Sequence, residues 1–138
     1  MSGGPEYHEL YIYTMGRPNF ILQHVVDANM AQCLDADSPA YKPIGAVFAL
    51  VGLFLHCEKG FNGVQVQNAH RILGQRKREW PPIRIPHERG KLTPADVLTA
   101  PAGPERDAAI DRWCESVWTE FQDNRDVIVR LLQEYQII

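Results

Sequence analysis

What this chain lacks narrows its chemistry. Its three cysteines, Cys33, Cys57 and Cys114, include no CxxC pair. An odd count without local spacing argues against a disulfide framework and against a cysteine-only zinc site. Each thiol is expected to pack as a small apolar residue in a reducing compartment. No phosphate loop is present, because Gly60-Phe61-Asn62-Gly63 opens a helix without a following GK[ST]. There is no GxSxG elbow, no HExxH pair, and no ExxH motif repeated on two helices. The first ten residues, MSGGPEYHEL, have neither a basic region nor an apolar one, so no signal peptide is expected. The longest apolar run, from Ile44 to Leu55, has twelve residues, whereas a membrane-crossing helix needs about 20. A soluble, cytoplasmic protein without a membrane partner is the expectation.

Positive charge is also scarce. The net charge of −3 argues against nucleic acid as a partner. The local exception is Arg71, Arg76, Lys77, Arg78, Arg84, Arg89 and Lys91. Lys and Arg near a helix C-terminus form an ordinary solvated face, and an anion or nucleic-acid groove is the alternative.

What is present is a chain of 138 residues, 45% apolar and 22% charged, which suits one domain over residues 1–138 with one core. Period-two alternation occurs only at residues 81–86, PPIRIP, where the prolines block ladder bonds. Helical signals dominate. A first helix is expected at about 5–15, stopped by Gly16 and Pro18. A second runs from Pro18 or Asn19 to Leu34, with Asn19 as a cap. The central helix starts near Pro43 and ends at Lys59-Gly60. A fourth opens at Asn62 or Gly63 and reaches about Arg78. Residues 79–91 read as an irregular, proline-broken arm. Thr93-Pro94-Ala95-Asp96 starts a short helix. From Gly103 or Pro104, the apolar stripe Ile110, Trp113, Val117, Phe121 continues to Ile128, Leu131, Leu132 and Tyr135, with a break at Asp123-Asn124-Arg125. The fold class is therefore all-α, a bundle of roughly five to seven helices around the central one.

Ionisable groups inside apolar helices single out candidate chemistry, because burying them is costly unless something pairs with them. The central helix ends its apolar run on His56 and Glu58, and the second helix carries His24 and Asp27 three residues apart on one face. Gly45, Ala49, Gly52 and His56 share a face of the central helix. Glycine inside a helix costs about 1 kcal/mol against alanine. Either a neighbouring helix approaches closely there, or the small residues line a pocket beside His56. His70 lies in the fourth helix, which a short loop makes the antiparallel neighbour of the third. His24, His56 and His70, with Asp27 or Glu58, would suit a divalent metal such as Zn or Fe. Alternatively, Asp27 orients His24, and Glu58 serves as base. His8 and His87 read as exposed.

The blocks YHEL (Tyr7), QHVVDA (Gln23) with Ala31-Gln32, LHCEKGF (Leu55), VQNAH (Val66), WPP (Trp80), ADVL (Ala95) and GPERDAAIDRWCESVW (Gly103) resemble a bacterial family of uncharacterised helical proteins. It is a "domain of unknown function" family. The resemblance spans nearly the whole chain and implies a shared fold, but no activity. Some relatives in the wider group begin with a cysteine-rich segment, so no metal site built on those cysteines is expected here. The matching blocks contain His24, Asp27, Gln32, His56, Glu58 and His70, which favours a site there.

Two functional expectations follow. In the first, the bundle holds a small-molecule site, metal-dependent or acid/base, with His24, Asp27, His56 and Glu58 as catalytic groups. Gly45, Ala49, Gly52 and Gln32 would contact the ligand, and the arm at 79–91 would act as a lid. In the second, the protein is a non-catalytic homodimeric module that pairs through its C-terminal helices, and its buried His and Asp are structural.

Overall fold

The computed structural model describes residues 4–76 and 79–138. Among them are seven α-helices and no strand: α1 (Pro5–Met15), α2 (Leu22–Gln32), α3 (Pro43–Lys59), α4 (Gly63–Arg76), α5 (Pro94–Leu98), α6 (Pro104–Glu120) and α7 (Arg125–Glu134). The expected Lys77 and Arg78 end of the fourth helix lies outside the described residues.

The ends of these helices are set locally. Proline stands in the first turn of α1, α3, α5 and α6, where its missing N–H costs nothing. Thr93 and Asp96 form a reciprocal capping box at α5. Asn62 and Gln65 do the same before α4: the Gln65 N–H donates to Asn62 Oδ1 at 2.9 Å, and the Asn62 N–H to Gln65 Oε1 at 2.8 Å. Gly60 ends α3 with φ of 69°, and the Phe61 N–H returns to the Leu55 carbonyl at 3.0 Å.

One boundary differs from expectation. Asn19 does not cap the second helix. It adopts φ 61° inside a 3-10 turn (Pro18–Phe20), Phe20 follows at φ 55°, and α2 begins only at Leu22. Pro18 opens this tight turn, which then packs on the start of α4: a Cβ on Gly63 would stand 1.9 Å from the Phe20 carbonyl oxygen.

α3 is the centre. It packs against α2, α4, α6 and α7, and all nine residues from Ala46 to Leu55, Phe48 aside, are buried. Trp113, Val117 and Phe121 of the α6 stripe, with Ile128 and Leu132 of α7, are fully buried in the same core. The stripe breaks at a 3-10 turn (Gln122–Asn124), as its polar composition implies.

The arm at 79–92 is tied down by side-chain amides. Asn124, 2% exposed, accepts from the Arg84 N–H at 2.8 Å and donates to the Arg84 carbonyl at 2.9 Å. The proline-flanked segment thus finds in one amide the two bonds a neighbouring strand would supply. Gln32 donates to the carbonyls of Arg89 and Leu92 and accepts from the Trp113 indole N–H at 3.1 Å. Arg89 reaches back to the carbonyls of Gln32 and Leu34 beyond the end of α2, where a cation meets the negative pole of the helix. The arm at 79–92, the expected lid, is clasped to α2 and to the α6–α7 junction at Arg84, Arg89 and Leu92.

Candidate functional site

α2 carries His24 and Asp27 into the core on one face, 4% and 3% exposed. Charge is costly there. Burial pushes the Asp27 carboxyl well above its ordinary range, outweighing the Gln23 amide that donates to its Oδ1 at 3.0 Å. Burial therefore favours the protonated, neutral form of Asp27. Among the described residues its Oδ2 has no hydrogen-bond partner, and neither does His24 Nδ1.

The space for Asp27 comes from α3. A Cβ on Gly52 would lie 1.8 Å from Asp27 Oδ2 and 2.5 Å from its carboxyl carbon. The carboxyl group therefore occupies the notch that glycine leaves in the α3 surface. Gly52 does not line a ligand space beside His56, because α2 fills that space. Ala49 is buried in the core. Gly45 faces Met30 of α2 at 4.0 Å and stands about 16 Å along the axis from His56.

His56, in the last turn of α3, lies over His24. The two rings stack with centroids 3.6 Å apart and planes 18° from parallel. One ring nitrogen, Nδ1, is 3.4 Å from the Phe61 carbonyl, and the other, Nε2, is 2.9 Å from Asp111 Oδ1. Both partners are acceptors, so making both bonds at once requires a proton on each nitrogen. The His56 ring faces the buried one. Burial first, and the His56 charge second, lower the His24 pKa to about 3, against a smaller upward pull from Asp111. The pair divides the work: His24 stays neutral inside, while His56 is tied to an aspartate whose side chain is 60% exposed.

Asp111 was not singled out from the sequence. Asp107, Asp111 and Glu115 recur every four residues along α6, which is also how a solvated helix face reads. Only the placement of α6 beside the end of α3 distinguishes Asp111.

The other expected site residues are engaged elsewhere. Arg125 holds Glu58 in a forked pair, its Nη2 2.8 Å from Oε1, and the Trp118 indole N–H donates to Oε2 at 2.8 Å. Arg125 keeps the Glu58 carboxyl below its ordinary pKa, which makes it a poor base. His70 donates from Nε2 to the Phe48 carbonyl at 2.8 Å and stacks on the Phe48 ring; burial lowers its pKa. Gln32 is consumed by the clasp. His8 and His87 are exposed. Cys57, beside His56, is pushed up to about 12 by burial and by nearby carboxylates, and burial likewise raises buried Cys114, so neither thiol is an activated nucleophile.

The donor set does not fit the expected Zn or Fe site. A metal lies in the plane of an imidazole, on its nitrogen lone pair, whereas His24 and His56 meet face to face. Among the described residues, no three His, Cys, Asp or Glu side chains are placed to hold an ion. Of the basic set, Arg89 is spent inside the clasp, Arg71 bonds Asn68 at 2.5 Å, and Lys77 and Arg78 lie outside the described residues. Among the described residues, no helix is long and apolar enough to cross a membrane.

A model for a family of unknown function, DUF5946, matches residues 5–122, and the chain belongs to that family. The matched span contains His24, Asp27, His56 and Asp111 and ends before α7. None of the curated proteins and none of the solved structures compared with the chain matches it.

Proposed function

We propose, from the premise of DUF5946 membership, that the protein binds a small polar molecule at the His24–His56 pair and exchanges a proton with it. The observation that carries this reading is the unpartnered Nδ1 of an imidazole that is 4% exposed. Buried polar atoms are nearly always paired, and an orphan costs about 1–3 kcal/mol. A bound ligand atom would relieve that cost. In this reading His24 Nδ1 meets the ligand, and Asp27 lies about one turn along the same helix face. His56, held by Asp111, carries the exchangeable proton to the surface. Cys33, Cys57 and Cys114 form no disulfide among the described residues, which agrees with a cytoplasmic setting.

The test combines binding and stability. With 15N-labelled histidine, a screen of small polar acids, amides and alcohols should include compounds that shift the His24 Nδ1 resonance. His56→Ala should lower affinity for those compounds while the protein stays folded, and Asp111→Asn should do so more weakly. A screen in which no compound moves Nδ1, together with His24→Ala and His56→Ala variants that unfold, would reject the reading.

The second reading, a non-catalytic module with structural His and Asp, is supported by the seat of Asp27 on Gly52. One polar group keyed into a helix notch can fix register. A homodimer through the C-terminal helices would need a face other than their apolar stripe, which is already buried in the core of this chain. Sedimentation velocity of the full chain distinguishes monomer from dimer.

A further inference from the structure

A cleft of about 600 Å³ opens at the other end of α3, between α1, α2 and the loop that leads into α3. Its volume is that of a small-molecule site. The walls are mainly apolar, built by Tyr7, Met30, Leu34, Tyr41 and Ile44. Met30 and Ile44 are 45% and 37% exposed, and they are two of the few large apolar side chains the protein leaves to solvent. Methionine is unbranched and polarizable, which suits a wall that must adapt to a ligand.

The two charged groups at this cleft, Lys42 and Asp35, differ in what they bond. Lys42 lines it, and among the described residues its ammonium makes no ion pair. Asp35 is the one acid on the lining, and its Oδ1 accepts from the Asp37 N–H at 3.0 Å, which ties it into the loop before α3. An apolar cavity with an unpaired ammonium on its wall complements a molecule with an apolar body and a carboxylate.

We propose that this cleft binds an amphipathic carboxylate, with its chain between Met30, Tyr41 and Ile44 and its anionic end on Lys42. The inference is independent of the His24–His56 reading. Gly45 controls the volume. A Cβ there would stand 4.0 Å from Met30 Sδ and Cε, with no backbone in the way. A leucine at 45 would therefore extend into the cleft, and it is a better helix former than glycine.

Isothermal titration of the full chain with decanoate, decanol and decyltrimethylammonium, all below micelle formation, tests the proposal. Decanoate should bind most tightly. Gly45→Leu should weaken it by about tenfold or more, with thermal unfolding unchanged or raised. Lys42→Ser should weaken decanoate by about fivefold and leave decanol unchanged. Undiminished decanoate binding in Gly45→Leu would overturn the proposal. So would tighter binding of the cationic probe, or no binding of any probe. Self-association of the wild-type chain that Gly45→Leu abolishes would assign the cleft to a second copy and overturn it as well.

Discussion

Two sets of polar side chains are enclosed by this fold, and they are treated differently. At the clasp, Gln32 and Asn124 each make three hydrogen bonds, with both amide hydrogens and the carbonyl oxygen in use. On α2, less than three turns from Gln32, His24 and Asp27 are as deeply buried as Asn124, yet each leaves an atom unpaired. Saturated bonding is what a fold needs to pin an irregular segment. Bonding capacity left open in the core is what a site needs. The contrast separates structural polarity from candidate chemistry without reference to any motif.

The largest expected effect is on the saturated side. Asn124→Ala strips both partners from the Arg84 backbone and should cost about 3 kcal/mol, read by chemical denaturation. A loss below about 1 kcal/mol would mean that the clasp is not what holds the arm.

Next comes the notch. Gly52→Ala places a methyl group where the Asp27 carboxyl sits and should cost about 2 kcal/mol. Asp27→Ala in the same chain should recover most of it, because it removes the clashing group. Equal losses in the single and double variants would place the clash elsewhere.

Acid and base dependence sharpen the contrast further. The unfolded chain protonates His24 below about its ordinary 6.5, while the folded chain resists until about 3, so stability falls as pH drops through that window. Asp27 acts oppositely. Its unfolded carboxyl ionises above the ordinary 3.8 and the folded one stays protonated much higher, so stability falls as pH rises from 3.8 toward the raised folded pKa. Above 3.8 and below 6.5 the two slopes have opposite signs. The Asp27 decline runs from 3.8 up to its raised folded pKa, at about 1.4 kcal/mol per pH unit. Asp27→Asn should flatten that decline. Urea unfolding from pH 4 to pH 9 measures it, and an unchanged slope in the variant would show that another group titrates. The smallest effect belongs to the surface: Arg125→Ala, which frees Glu58, should cost under about 1 kcal/mol and less still in high salt.

Much of the fold was legible along the chain. The bounds of α1 and α3 followed from proline in a first turn and glycine beyond a last one, and the α6–α7 break from Asp123-Asn124-Arg125. Asn19 misled because a good capping residue is also one that tolerates the left-handed conformation. His24, Asp27 and His56 stood out because ionisable groups interrupt apolar helices. Gly45, Ala49, Gly52 and Gln32 were grouped with them on one-dimensional grounds; three dimensions dispersed all but Gly52, which seats Asp27.

What the sequence determined by itself is local: helix positions from periodicity and caps, an all-α core from the apolar run around residue 50, and the suspicion attached to buried ionisable groups. Tertiary structure alone decided who meets whom. It filled the Gly52 notch with Asp27, stacked His56 on His24, gave His56 to Asp111 and Glu58 to Arg125, and opened a cleft at Lys42 and Gly45. The reason is physical. Periodicity and capping act within a turn or two of one helix, whereas these pairings depend on how helices far apart in the chain cross and how deep each side chain then lies.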